Sequence, residues 1–298
     1  MPQPRSVAAA AQRHVDDWDD ASATIDRAVA RLFSGRRRGA ARDVTVAVRD
    51  ATRRLEQRAA RWAASELADV YLRGVQIAGG VTGVPLLADM WEAEISAIVA
   101  GHVDDVAAVG SGLRRGAAGF VVPDGLPVLT PGEVADLSPA ELSDLLRHPI
   151  GLVRYRDGSY RSVADHGDML TRTRSALAFN RATLDVAVAV GAGWVETFDG
   201  TGCNWVTHTV GGAANGAIVE TEFAAAHPLA HPRCQRSFRP RPDIDSARRA
   251  KKAVPLGLPF DDAANPLPGP GPTVRARPRV RRAQATKAVR ARRSLRRR

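Results

Sequence analysis

Apolar side chains recur at helical spacing through nearly all of the first 120 residues, and this commits the larger part of the chain to helix before any other feature is considered. From Asp16 to Phe33 the apolar residues Ile25, Val29, Leu32 and Phe33 share one stripe. Gly35-Arg36-Arg37-Arg38-Gly39 then interrupts the pattern with a basic run. Val44, Val48, Leu55, Ala59, Trp62, Leu67, Val70 and Tyr71 predict a long amphipathic helix over Val44 to Ile77. Gly79 to Pro85 reads as a loop, and two more helices are expected at about 86–100 and 102–116. The abundant alanines favour helix as well. No residue in this half stands in a catalytic pattern, so it reads as a scaffold or docking surface.

The pattern changes after residue 120. Thr130-Pro131-Gly132-Glu133 and Ser138-Pro139-Ala140-Glu141 each place a cap, a proline at the first helical position and a glutamate at the third, and so predict two short helices. Gly151 to Val163 alternates on both sides of Asp157-Gly158, a hairpin signal. A helix is expected from Val163 to Val190, with Met169, Thr173, Ala176, Leu177, Asn180, Leu184, Ala187 and Val188 on its apolar stripe. Asn180 is the polar exception, and a buried amide must find partners, so it is expected to pin an adjacent turn. Arg172, Arg174 and Arg181 lie on other faces and read as solvated charge. Gly191-Ala192-Gly193 ends the helix, and Trp194 to Phe198 alternates as a strand. The fold class predicted is α+β: a helical N-terminal half over 1–120, a small mixed module over 121–245, a Pro/Gly-rich linker over 246–274 and an Arg-rich tail over 275–298.

Charge is distributed unevenly. The 298 residues carry 43 Lys+Arg and 32 Asp+Glu, a formal net charge of +11. Twelve of the basic residues, and no acidic one, lie between Ala263 and Arg298, so the rest has 31 basic against 32 acidic residues, a net charge of −1. The high isoelectric point therefore describes the tail, whose low-complexity composition does not predict a fold of its own. No apolar run is long enough to cross a membrane, so no membrane partner is expected. The N-terminus does not read as a signal peptide, because Ala8 to Ala11 is too short an apolar core.

Both cysteines, Cys203 and Cys234, fall in one stretch from Val195 to Pro242, together with His208, His227 and His231. Cys203 follows the turn sequence Asp199-Gly200-Thr201-Gly202, and Cys234 closes the Pro232-containing turn His231-Pro232-Arg233-Cys234. A strand, a Cys turn, a second extended segment and a His-Pro-x-Cys turn form a layout in which the two turns can meet. Cys203, His208, His231 and Cys234 have roughly usable spacing for a structural Cys2His2 zinc site, with His227 as a substitute for His208. A packed thiol pair and a disulfide formed after release are the other two readings. No cofactor is expected apart from that zinc.

From about Val153 to Pro242 the sequence resembles the phage Mu F-like head morphogenesis (minor head, minor capsid) proteins of tailed bacteriophages. The residues that carry the resemblance are the Asp157-Gly158 hairpin, Arg172-Thr173, Asn180, the strand entry Gly191-Ala192-Gly193-Trp194-Val195-Glu196, Asp199, Cys203 and His231-Pro232-x-Cys234. The family often reads Arg-Thr-Glu where this chain has Arg174 in third place, and often has paired cysteines where this chain has single ones, with Arg236 in the position of the last. The resemblance implies a virion component, made in the host cytoplasm and carried in the phage head. It would be present in few copies near the portal or inside the capsid, assisting assembly or DNA packaging and ejection without a catalytic step. Portal or capsid proteins are the partners expected.

The tail adds DNA to that list. Arg275, Arg277, Arg279, Arg281, Arg282, Lys287, Arg290, Arg292, Arg293, Arg296, Arg297 and Arg298 can neutralise phosphates without reading sequence, and no aromatic residue interleaves them for base stacking. The alternative from the enzyme class is a metal-dependent nuclease or toxin-like effector. It would use Asn204, His208, Asn215, His227 and His231, with Asp199, Glu220 and Glu222 as the nearby acids.

Overall fold

The computed structural model describes residues 3–35, 39–83, 88–155, 157–198, 215–229 and 232–244. The helices are α1 (Arg5–Leu32), α2 (Ala40–Trp62), α3 (Ala68–Thr82), α4 (Glu92–Ala117), α5 (Pro131–Ala135), α6 (Pro139–Leu146), α7 (Val163–Ala189) and α8 (Thr221–Ala226). A π-helical segment, Ala63–Leu67, joins α2 to α3, and a 3-10 turn, Ala88–Trp91, leads into α4. Strands β1 (Leu152–Arg154) and β2 (Tyr160–Ser162) form an antiparallel hairpin. Strands β3 (Trp194–Phe198), β4 (Ile218–Glu220) and β5 (Ser237–Pro240) form a separate antiparallel sheet in the order β4-β3-β5. The class is α+β, as the sequence predicts.

Helix α7 lies at the centre. Ser162 caps it by accepting the Asp165 N–H at 3.0 Å. It packs against α1, α3, α8 and β5, and seventeen of its residues are buried, on nearly every face. The reason is compositional. Small residues let neighbours approach, Gly167 the Trp18 indole and Ala182 the Gly74 backbone, and the buried hydroxyls of Thr173, Ser175 and Thr183 bond back to carbonyls one turn earlier. A polar hydroxyl satisfied within its own helix can be buried without an outside partner. Helix α1 runs antiparallel to α7: Trp18 meets Gly167, whereas Gln12 meets Arg172. A β-carbon at 167 would fall inside the Trp18 indole, and one at 74 would lie 2.7 Å from both the Ala182 β-carbon and the Phe179 carbonyl.

The structure departs from the sequence reading in several places. Helix α1 begins at Arg5, because Val7, Ala10, Ala11 and Val15 extend its buried stripe. The helix expected over Val44 to Ile77 is broken by the π-helical turn. The two helices expected on either side of Gly101 are one, α4. A single glycine costs a helix about 1 kcal/mol, and burial of Val106, Val109 and Leu113 on the same helix outweighs it. Val188, placed on the α7 stripe, is 60% exposed. Arg174, read as solvated, is mostly buried: its Nε and Nη2 reach Oδ2 of Asp105 at 2.6 and 2.5 Å. The core also crosses the boundary expected at residue 120. One buried cluster includes Trp18, Val48, Val109, Ile150, Val163 and Leu170.

Both short capping-box helices form as expected, α5 from Thr130 and α6 from Ser138. The linker over 246–274 and the tail over 275–298 lie outside the described residues.

Gly167→Ala is expected to lower unfolding free energy by about 1–3 kcal/mol through overpacking against Trp18. Urea denaturation checks it, as a lower midpoint with an unchanged slope. Gly158→Ala, on the exposed hairpin turn at φ +86°, is expected to cost less, because there only the backbone conformation resists the change.

Candidate functional site

Two constellations lie against α7: a clasped loop on one side and a buried imidazole cluster on the other. The loop is the stretch between α8 and β5, which carries the Pro232-Arg233-Cys234 turn. Asn180 Nδ2 donates to the Pro228 carbonyl at 2.7 Å and to the Arg236 carbonyl at 2.8 Å, so one amide holds both arms of the loop. Two turns earlier on the same face, Thr173 Oγ1 accepts the Arg233 N–H at 2.9 Å. Arg233 takes a left-handed conformation (φ +61°), and its guanidinium pairs with Asp168 at 2.6 Å. Gln3 adds a second donor to the Arg236 carbonyl at 3.0 Å. Arg236 itself is 1% exposed.

Cys234 is buried in this clasp, 3% exposed, against Ala176, Leu177 and Leu229. Pro232 opens the turn and is half-buried. Cys203, His208, His231, Asp199 and the Arg/Lys residues of the tail lie outside the described residues. His227, the substitute ligand, ends α8. Its Nδ1 bonds the Phe223 carbonyl at 2.7 Å and its ring stacks on Phe223 at 4.3 Å. Among the described residues no group of three His, Cys, Asp or Glu side chains is placed to hold a metal ion.

The second constellation has no counterpart in the sequence reading. His14 of α1, His102 of α4 and Trp62 at the end of α2 converge beside the π-helical turn. The His14 ring stacks on Trp62 at 4.7 Å and meets His102 edge-on at 5.1 Å, and Trp62 lies 4.9 Å from His102. Both imidazoles are fully buried. His14 Nδ1 reaches Asp17 at 3.1 Å, and the Trp62 N–H donates to the Ala10 carbonyl at 2.9 Å. His14 Nε2, both nitrogens of His102 and Thr171 Oγ1 have no hydrogen-bond partner among the described residues. Further along α1, Trp18 separates this pair from a third buried imidazole, His166 of α7, which bonds the Tyr155 hydroxyl at 2.8 Å. One signal was available in the sequence: His14 precedes Trp18 by four residues, one turn away on the buried stripe.

Burial keeps all three imidazoles neutral. It pushes His14 down against a smaller opposing pull from Asp17. It pushes His102 well below the usual histidine range, helped by the repulsion a protonated His14 would exert and by the charge of Arg174. It takes His166 down to about 4. The unfolded chain therefore binds protons below about pH 6.5 that the folded chain refuses. The stabilisation is complete above that pH and is lost as pH falls toward the folded values. Each such histidine contributes up to about 1.4 kcal/mol per pH unit. Asp26 and Asp185, raised by burial, act in the opposite sense nearer pH 4.

Urea midpoints measured at pH 7 and pH 5 are expected to fall steeply with acid in the natural chain and less steeply in His102→Phe. Midpoints equal at the two pH values would contradict the burial of three neutral imidazoles. Asn180→Ala leaves the Pro228 carbonyl without its donor and the Arg236 carbonyl with Gln3 alone, and is expected to cost about 1–3 kcal/mol. Limited proteolysis should then cut first between Leu229 and Arg236.

Comparison of this chain with family models, with curated proteins and with solved structures returns no match.

Proposed function

We propose that the chain is a minor head protein of a tailed bacteriophage, of the Mu F-like head morphogenesis kind, acting as a structural component and not as an enzyme. The observation that carries this reading is the clasp. Thr173, Asn180, the Gly193–Glu196 strand entry and the Pro232-x-Cys234 turn carry part of the sequence resemblance, and Thr173 and Asn180 both anchor the loop that contains that turn. Thr173 and Asn180 hold the loop, and the Gly193 carbonyl accepts the Thr221 N–H at 3.0 Å, tying β3 to the start of α8. Two residues of the resemblance that hold one loop are better support for a shared module than composition alone.

In this reading the helical body docks on portal or capsid subunits, and the tail meets packaged DNA through phosphates. No helix among the described residues is long and apolar enough to cross a membrane. In particles banded on a density gradient the chain is expected at few copies per head. Its synthesis during infection without recovery in particles would contradict the proposal. Truncation after Ala264 is expected to weaken DNA binding. If about half of the tail cations engage, affinity of the full chain should fall by about three orders of magnitude between 50 and 200 mM salt.

A further inference from the structure

The near-neutral body conceals a charge-polarised helical hairpin. Helices α1 and α2 are antiparallel, since Arg58 reaches back to Asp17 at 3.1 Å and Asp20 at 2.9 Å. The end near their connection carries Arg27, Arg31, Arg42, Arg49, Arg53 and Arg54 against only Asp43 and Asp50. The opposite end, residues 5–26 with 55–66, carries four arginines against seven acidic residues. Like charges are crowded there. Asp19 is raised above the ordinary carboxylate value by burial and by the neighbouring Asp16, Asp168, Asp20 and Asp165.

We propose that the basic half of the α1–α2 hairpin is a phosphate-contact surface for double-stranded DNA, separate from the tail. All six arginines are exposed. Among the described residues only Arg49 has a carboxylate partner, Asp50 at 3.1 Å, and an exposed pair of that kind is weak. Arg27 and Arg54 line one wall each of a cleft of about 280 Å³ along the helix seam, whose lining also includes Asp17 and Asp20, both paired with Arg58; Arg27 is steadied there by a 3.3 Å bond to Thr24. Arg42, Arg49 and Arg53 follow one another on the outer side of α2. From Arg42 to Arg53 the helix rises about 16 Å, a span over which a duplex presents on the order of ten phosphates. The Arg42, Arg49 and Arg53 row therefore runs past several phosphates, and Arg27 and Arg54 add cations at the helix seam. The one aromatic residue between Arg27 and Arg54, Phe33, is fully buried, so unpaired bases have nothing to stack on. The duplex backbone is the polyanion that fits.

The surface does not depend on the minor head reading, and its test separates the two. The full chain is compared with the fivefold variant Arg27→Gln, Arg31→Gln, Arg42→Gln, Arg53→Gln and Arg54→Gln. The control is Arg5→Gln, Arg61→Gln, Arg73→Gln, Arg115→Gln and Arg147→Gln, which removes the same charge elsewhere on the exposed surface. The readout is the dependence of affinity for a random-sequence duplex on salt, with helix content checked by circular dichroism. Each phosphate contact removed lowers the logarithmic slope by about 0.9, so the fivefold variant should lose about 2–4 from its slope and the control about none. A loss below about 2, or an equal loss in the control, overturns the proposal. Recovery of the chain in phage particles is read independently and bears only on the minor head reading.

Discussion

Burial of α7 on nearly all its faces is the constraint on which the rest of the structure depends. A helix in that position has to satisfy its polar groups internally and present small residues where other backbones approach. α7 does both: its threonines and serine bond back along the helix, and Gly167 and Ala182 receive Trp18 and the Gly74 backbone. Each partner is then fixed by what α7 offers it. Helix α1 is placed by the indole over Gly167, α3 by the close approach at Gly74, and the loop before β5 by Asn180 and Thr173. The N-terminal helices and the mixed module are thus two sides of one packing problem.

That arrangement places chemistry that elsewhere would face solvent inside the core. Tyr71 of α3 donates to Asp185 of α7 at 2.7 Å, and burial raises both groups. The Arg174–Asp105 pair ties α7 to α4. Breaking such a pair by removing one partner is far more damaging than the pair is stabilising, because the remaining charge stays buried. The three imidazoles follow the same logic with protons: each is accommodated as a neutral group, and each penalises the fold when charged. Two of them sit where the π-helical turn widens the chain between α2 and α3, a type of irregularity often found at functional sites.

Much of this was legible in the sequence, and the reasons for success and failure are local. Thr130-Pro131 and Ser138-Pro139 announce their helices because capping chemistry acts within four residues. Asn180 stands out because an amide on an apolar stripe requires partners, although the sequence does not say that these are the Pro228 and Arg236 carbonyls. The pairing of β5 with β3 was not legible, since Thr197 and Phe238 are far apart in the chain and no turn chemistry connects them. The His14–His102–Trp62 cluster was missed because its members come from three helices, and a histidine on a helical stripe reads like any other polar neighbour. The polarity of the α1–α2 hairpin was hidden in a sum, in which basic and acidic halves cancel.

Native-state hydrogen exchange tests the central claim most directly. If α7 is the shared core, its amides from Ala176 to Ala187 and those of α1 and α3 that pack on it should open only with global unfolding, at one common free energy. Exchange of α1 and α3 through an opening of lower free energy that leaves α7 and the sheet protected would contradict it. The N-terminal helices would then be a separate unit resting against the module.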